Sequence, residues 1–366
     1  MLNSLLALRC RGFDLEHSAM RRGLAALEFF TLRKGNRTWL QSCISPVWDT
    51  ALAVRALAAA GVPPEHPALK QATSWLLSMQ IFKPGDWCIK NPQLPPGGWA
   101  FEFVNNWYPD IDDSAMVLMA LKEGLPGLQK SQDALQRGIN WCLGMQSRNG
   151  GFAAFDVDNT KEWLNAIPFG DLKALVDPPT EDVTGRVLEM MGAFHYALDH
   201  PAAVRALIFL RYTQHPDGPW WGRWGVNYIY GTWSVMVGLR AMGEDLRQPY
   251  LRRAVDWLKA HQNPDGGWGE TCESYRRPEL KGMGDSTASQ TAWALMALIA
   301  AGEALAPETQ AGVEYLLNTQ TSEGRWEEPY FTGTGFPSHF IIRYHLYRDC
   351  FPLMALGQYL RALHVR

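Results

Sequence analysis

SQTAWALMAL, residues 289–298, is one of six stretches of this chain that align in a single register. The others are WDTALAVRAL (48–57), DDSAMVLMAL (112–121), DVTGRVLEMM (182–191), YGTWSVMVGL (230–239) and YRDCFPLMAL (347–356). Two residues into each stands Thr50, Ser114, Thr184, Thr232, Thr291 or Asp349. A polar side chain that can cap, followed by an apolar helical stretch, is a helix start signal, so these residues are expected as N-caps of six equivalent helices. Trp48, Asp112, Asp182, Tyr230, Ser289 and Tyr347 then open those helices around one cavity, whose rim aromatics and carboxylates share.

A second repeat interleaves with the first. Gln80, Gln146, Gln214, Gln262 and Gln320 each follow an aromatic by five residues, and each precedes Gly85, Gly150, Gly218, Gly266 or Gly324. Two residues beyond each glycine stands Trp87, Phe152, Trp220, Trp268 or Trp326. The pattern reads as an outer helix that ends at the glutamine and turns through a loop such as QNPDGGW (262–268), with the aromatic folding back on the helix end. Helix pairs of this period cannot bury a core singly; they stack or close. Six inner helices favour closure, so the expected fold is all-α: an α/α toroid resembling an (α/α)6 barrel, over residues 44–366.

Residues 1–43 stand apart. A helix pair is expected at 3–11 and 18–33, outside the repeat register and opening with no lead-in, which reads as a piece of a longer protein. The net charge of -3 offers no basic stripe for nucleic acid. Six cysteines without a CxxC pair argue against a disulfide framework and for a reduced, cytoplasmic compartment. No apolar run approaches the ~18 residues of a membrane-crossing helix, which leaves monotopic attachment to a membrane surface open. Most of the 16 tryptophans sit in the repeats.

The chemistry candidates begin at Tyr108-Pro109-Asp110-Ile111-Asp112-Asp113-Ser114. Three carboxylates at a helix start cannot all ionise in a partly dry site, so one is expected to hold its proton at neutral pH. The helix N-terminus favours the anion and makes that held proton more acidic. A protonated yet strong acid is what protonation of an alkene requires. The bland reading is helix capping, and Asp113, which aligns with Asp49, divides evenly between the two. Neither this stretch nor Asp156-Val157-Asp158-Asn159 carries the EF-hand glycine, the histidines have no metal-ligand spacing, and no metal is expected. Phe101, Trp107, Tyr108, Phe155, Trp224, Tyr230, Phe336, Phe340, Tyr344 and Tyr347 fall in loops before inner helices or at rim positions. Gathered at one end of a barrel, their faces would stabilise a cation, by roughly 0.5–2 kcal/mol each.

DIDDSA (110–115), the glutamine–tryptophan repeats, GGWAFEF (97–103), SPVWDT (45–50), IPFGD (167–171), DPPTEDVT (177–184), WGRWGVNYIYGTW (221–233) and FTGTGFP (331–337) occur in the order found in squalene–hopene cyclases. The chain resembles the C-terminal part of that family. The resemblance implies cofactor-free polycyclisation of squalene to hopene or hopanol, with Asp112 as proton donor and Asp110 and Asp113 holding and re-protonating it. It implies that Trp48, Phe101, Phe155, Trp224, Tyr230, Phe336, Phe340, Tyr344 and Tyr347 line the cavity, and that Asp182 supports the acid. It also implies monotopic placement on the inner membrane face. Residues 1–43 become the terminal helices of a truncated second α-barrel, and the partner a second copy or a separate N-terminal half.

Three departures stand out. Ser114 replaces the usual threonine, Arg186 takes a place where members carry histidine beside the acid, and relatives are far longer. Arginine cannot pass a proton, can hydrogen-bond the aspartates, and lowers the acid's pKa. Three other readings remain: an inactive remnant or partner-dependent half-enzyme; an α/α-barrel glycosidase with Asp112 and Asp182 as its acid/base pair; and a prenyltransferase subunit, for which no zinc set can be assembled.

Overall fold

Outer helices alternate with buried ones along most of the chain, as the two interleaved repeats require. The computed structural model describes residues 2–41, 43–125, 131–168 and 171–364; two residues of IPFGD, Phe169 and Gly170, lie outside them. The chain divides into two compact units, residues 1–46 and 47–366.

In the first unit, α1 (Leu2–Cys10) and α2 (Ser18–Phe29) are followed by an antiparallel hairpin of β1 (Thr31–Lys34) and β2 (Arg37–Leu40). The expected helix over 18–33 therefore stops four residues early. Gly35 adopts φ +57°, and a Gly-Asn turn between residues such as Thr31, Thr38 and Trp39 favours a hairpin over a further helical turn.

The second unit contains the ring. Its inner helices are α3 (Pro46–Ala59), α5 (Ile111–Gly124), α7 (Glu181–Ala193), α9 (Tyr228–Ala241), α11 (Ala288–Ala300) and α13 (Tyr347–His364). Its outer helices are α4 (Pro67–Ser78), α6 (Gln132–Gly144), α8 (Pro201–Thr213), α10 (Pro249–Ala260) and α12 (Pro307–Thr319). A helix apolar on every side belongs inside, and α5, α9 and α11 are buried almost throughout. The ring closes by side-chain contact. Arg55 of α3 bonds Glu123 of α5, Arg186 of α7 bonds Asp112 of α5, and Tyr230 of α9 packs on Trp293 of α11. Trp293 meets Phe351 of α13, and Trp48 Nε1 of α3 donates to the Tyr347 hydroxyl of α13 at 3.0 Å. α7 and α9 are closest: a Cβ on Gly238 would strike the Gly185 carbonyl. No helix among the described residues is long and apolar enough to cross a membrane.

The expected caps are not caps. Ser114, Thr184, Thr232 and Thr291 lie inside their helices, whose N-cap positions are Asp110, Thr180, Asn227 and Thr287; Thr50 lies inside α3. The hydroxyls of Ser114, Thr184, Thr232 and Thr291 do something else. Each accepts the backbone N–H of the repeat aromatic: Trp99 to Ser114 at 2.8 Å, Phe152 to Thr184 at 2.9 Å, Trp220 to Thr232 at 3.0 Å and Trp268 to Thr291 at 2.9 Å. The polar repeat position thus fastens a loop to an inner helix.

The glutamines fasten outer helices to one another. Gln146, Gln214 and Gln262 Nε2 donate both to the carbonyl of their own turn glycine and to the first turn of the next outer helix, at Ala202, Tyr250 and Glu308. The tryptophan indoles donate to helix-end carbonyls ten residues back, Trp220 to Leu210, Trp268 to Leu258 and Trp326 to Leu316. Gly150, Gly218 and Gly266 take φ of +93°, +120° and +87°, where a side chain is strained.

The first repeat differs from its sequence pattern. Gln80 reaches Gly97, not Gly85, and Trp99, not Trp87, donates its indole N–H to Leu76. A Cβ on Gly97 would meet the Arg137 carbonyl, as those on Gly150, Gly218 and Gly266 would meet Arg205, Arg253 and Ala311. An inserted loop with a 3-10 turn at Asp86–Ile89 carries a Pro-Gly-Asp-Trp sequence that imitates the repeat.

Candidate active site

Asp110 ends an extended segment and caps α5. Its Oδ1 accepts the N–H groups of Asp112 at 2.7 Å and Asp113 at 3.2 Å. Its own N–H donates to the Trp99 carbonyl, and that of Ile111 to Ala154, each at 2.7 Å. The acid stretch is therefore sewn to the two loops that carry Phe101 and Phe155.

Asp112 is 7% exposed and Arg186 is wholly buried. Arg186 Nε donates to Asp112 Oδ1 at 3.1 Å, while its amino groups turn to Glu189 Oε2 at 3.5 Å and the Tyr230 hydroxyl at 3.1 Å. The guanidinium carbon stands 4.8 Å from the Trp233 ring centre and 5.6 Å from that of Trp48. Glu189 also pairs with Arg55 at 2.7 Å, and Arg55 with Glu123 at 3.1 Å. Five side chains of alternating charge thus link α5, α7 and α3.

Burial pushes every carboxyl of the acid stretch up, since an ion loses its water there. Asp110 and Asp113 rise well above the ordinary carboxylate range, with repulsion from neighbouring aspartates added to burial. Asp112 feels the same burial, but the Arg186 charge opposes it and the group comes to about 6. Burial would also raise Glu189, yet Arg55 and Arg186 overcome it and hold that carboxylate below its ordinary value. Burial thus raises all three aspartates rather than one, and Asp112 is the one whose conjugate base faces a cation. That combination makes a carboxyl that holds its proton more firmly than an ordinary aspartate, with Arg186 favouring its release, so the protonated form is present below about 6.

Asp182 is held differently. Its Oδ1 accepts from the Thr180 hydroxyl at 2.6 Å and the Val183 N–H at 3.0 Å; its Oδ2 accepts from the backbone of Arg223 at 2.8 Å and Trp224 at 2.9 Å. Both oxygens are occupied in placing the Trp224 loop, so Asp182 is not free to serve as the general base of a glycosidase pair. Trp224 in turn accepts from Thr334 N–H at 3.2 Å, in the hairpin of β3 (Gly333–Phe336) and β4 (Phe340–Ile342) where Phe336 and Phe340 stand opposite one another.

The aromatics assemble in linked sets. Phe155 and Trp224 are edge to face at 5.9 Å, Phe101 and Tyr344 at 6.3 Å, and Tyr344 stacks on Tyr347 at 4.3 Å. Tyr347 holds Trp48, and Tyr230 meets Trp293 at 4.8 Å. Trp107 and Tyr108 do not join them; they are 58% and 44% exposed on the surface loop before α5. The arrangement offers a buried acid beside π faces that can stabilise a cation.

The family model described as "Squalene-hopene cyclase C-terminal domain" matches residues 44–361. The chain belongs to the squalene–hopene cyclase family. It is 51% identical to the squalene–hopene cyclase of Alicyclobacillus acidocaldarius over 99% of this chain and 58% of that protein. It is 46% identical to dammaradiene synthase of Dryopteris crassirhizoma, covering 98% of this chain and 56% of the other. The chain therefore spans somewhat more than half the length of these curated relatives. The fold is shared with the type II terpene cyclase MstE from Scytonema, solved with geranylgeranyl dihydroxybenzoate, at a TM-score of 0.63 and 20% identity, over 88% of this chain and 89% of that one.

Sequence reasoning in this squalene–hopene cyclase family member missed several residues. Asp177 Oδ2 accepts the N–H groups of Phe155 at 2.6 Å and Asp156 at 2.9 Å, fixing the Phe155 loop; nothing local in DPPTEDVT signals that role. Trp233, Trp293 and Phe351 form an aromatic floor beside Tyr230 and Tyr347. Arg55 and Glu189 were legible: each stands five residues after its polar repeat residue, Thr50 and Thr184, so the alignment already put them in one layer.

Proposed function

We propose that this protein performs the acid-initiated, cofactor-free polycyclisation of squalene, with Asp112 protonating the terminal double bond. The observation that carries the reading is the buried Asp112 carboxyl, met through a single N–H by Arg186, whose guanidinium lies against the Trp48 and Trp233 rings. Asp110 and Asp113 hold and re-protonate it. Trp48, Phe101, Phe155, Trp224, Tyr230, Phe336, Phe340, Tyr344 and Tyr347 supply π faces to successive cations, and Asp182 keeps Trp224 in place. Relatives named squalene–hopene cyclase, at 51%, 48% and 42% identity, support the substrate. The reaction ends in hopene by deprotonation or hopanol by water capture. Electrostatic preorganisation and the folded pose of the bound chain supply the rate.

We assign residues 1–43 to the end of a second α-barrel and the working protein to the inner membrane face as a monotopic enzyme. The supports are the length of the relatives, a family match that begins at residue 44, and a hydrocarbon substrate that resides in bilayers. A second reading, a half-enzyme completed by a second copy or a separate N-terminal half, is favoured by the same coverage of 58% of a relative.

Incubation of the purified chain with squalene in detergent, followed by hydrocarbon analysis, tests the proposal. A pentacyclic product that disappears in Asp112→Asn supports a self-sufficient cyclase. A folded, monodisperse protein that gives no product alone, but does so with the N-terminal half of a relative, supports the second reading. No product under either condition overturns both.

A further inference from the structure

The charged chain behind Asp112 carries an inference that rests on Asp112 being the proton donor. An arginine beside a carboxylate normally offers two parallel N–H groups, the stronger and more ion-favouring arrangement. Arg186 offers one, because its amino groups are turned to Glu189 at 3.5 Å and Tyr230 at 3.1 Å. Glu189 is itself fixed, 2.7 Å from Arg55, which is buried and paired again with Glu123. Neither Glu189 nor Arg55 hydrogen-bonds Asp112; the Glu189 charge also repels the Asp112 anion directly.

We propose that Glu189, anchored by Arg55, is a positioning residue that keeps Arg186 from gripping Asp112 with its paired N–H groups. Glu189 takes a share of the Arg186 charge, and Arg55 sets how large that share is. The two residues therefore act on Asp112 with opposite sign. Without the Glu189 charge, Arg186 is drawn wholly to Asp112 and holds it as the anion. Without Arg55, Glu189 leans wholly on Arg186 and leaves Asp112 more readily protonated. The other groups facing Asp112 remain in both cases: Asp110 and Asp113 on its own helix, Asp182 on α7 and Tyr230 on α9, with Asp49 of α3 beside Asp113 and Asp177 beside Asp110.

The test is the pH profile of squalene conversion by the whole chain and by Glu189→Gln and Arg55→Gln. It is read beside pH-difference infrared spectra in which the protonated carboxyl band of Asp112 is identified by its loss in Asp112→Asn. In Glu189→Gln the midpoint of both signals is expected about one pH unit lower, a roughly tenfold loss of rate at neutral pH that acid restores, with KM unchanged. In Arg55→Gln the midpoint moves up. Midpoints that stay put, or that move the same way in both variants, overturn the proposal; a merely structural role lowers the rate equally at every pH. If Glu189→Gln does not fold, the direction of the Arg55→Gln shift decides. The infrared arm needs no turnover, so it stands even for a half-enzyme. Product formation retained in Asp112→Asn would instead sink the acid assignment itself.

Discussion

At the scale of single residues, the site turns on how one carboxyl out of three is made different. Asp110, Asp112 and Asp113 are all buried, yet only Asp112 meets a cation. Removing its proton should therefore remove the reaction: Asp112→Asn is expected to lower conversion by about a thousandfold or more, within the span of a lost general acid, measured as pentacyclic product per enzyme. The pH dependence follows from the same carboxyl. Its folded value is raised from 3.8 to about 6, so the protonated, competent form is present below that value and is lost as pH rises through it. Conversion should fall roughly tenfold per pH unit on the alkaline side. A rate independent of pH between 5 and 8 would contradict this. The stability contribution has the same sign: the folded state binds this proton between the two values, so stability is fully present below 3.8 and declines up to about 6.

At the scale of helices and turns, the repeats act as fasteners. Gln262 joins its own turn to the first turn of α12 through Gly266 and Glu308, and the Trp268 indole closes the end of α10 on Leu258. Gln262→Ala should cost about 1–3 kcal/mol, because it strips two bonds from half-buried carbonyls, and it should appear as a lowered urea midpoint with little change in slope. Trp268→Phe keeps most of the ring but not the donor. Gly238 is the stricter position: an alanine there meets the Gly185 carbonyl across the α7–α9 contact. Gly238→Ala is expected to cost about 1–3 kcal/mol or more through overpacking, and an unchanged melting temperature would refute that close approach.

How much of this was legible beforehand differs by residue. The six-fold register of inner helices and the role of the turn glycines could be read directly, because a repeat reports its own geometry many times over. The polar repeat residues were visible, but their partner was not. Ser114 and its equivalents were expected to cap helices, whereas they receive a loop N–H from the preceding turn. Local sequence offers a hydroxyl two possible partners, and only packing selects one. The first repeat misled because Pro84-Gly85-Asp86-Trp87 satisfies the local pattern, while only the close approach of Gly97 to Arg137 identifies the turn that bears on the next outer helix.

At the scale of the molecule, the ring is what turns separated residues into a site. Residues 47–366 form a unit with its own core, so residues 44–366 expressed alone should unfold cooperatively by circular dichroism with helical content retained. A broad, non-cooperative transition would show that the ring needs residues 1–43. The sequence by itself determined the all-α class, the alternation of inner and outer helices, the closure, and the acid stretch at a helix start. Those rest on periodicity and on side-chain types that are fixed along the chain. Only the tertiary structure decided that Arg186 faces Asp112 with one N–H, that Asp182 holds the Trp224 loop through both oxygens, and that Arg55 and Glu189 stand behind them. Those relations join residues up to 134 positions apart, and their consequence for the acid depends on distance and burial, which exist only once the ring has closed.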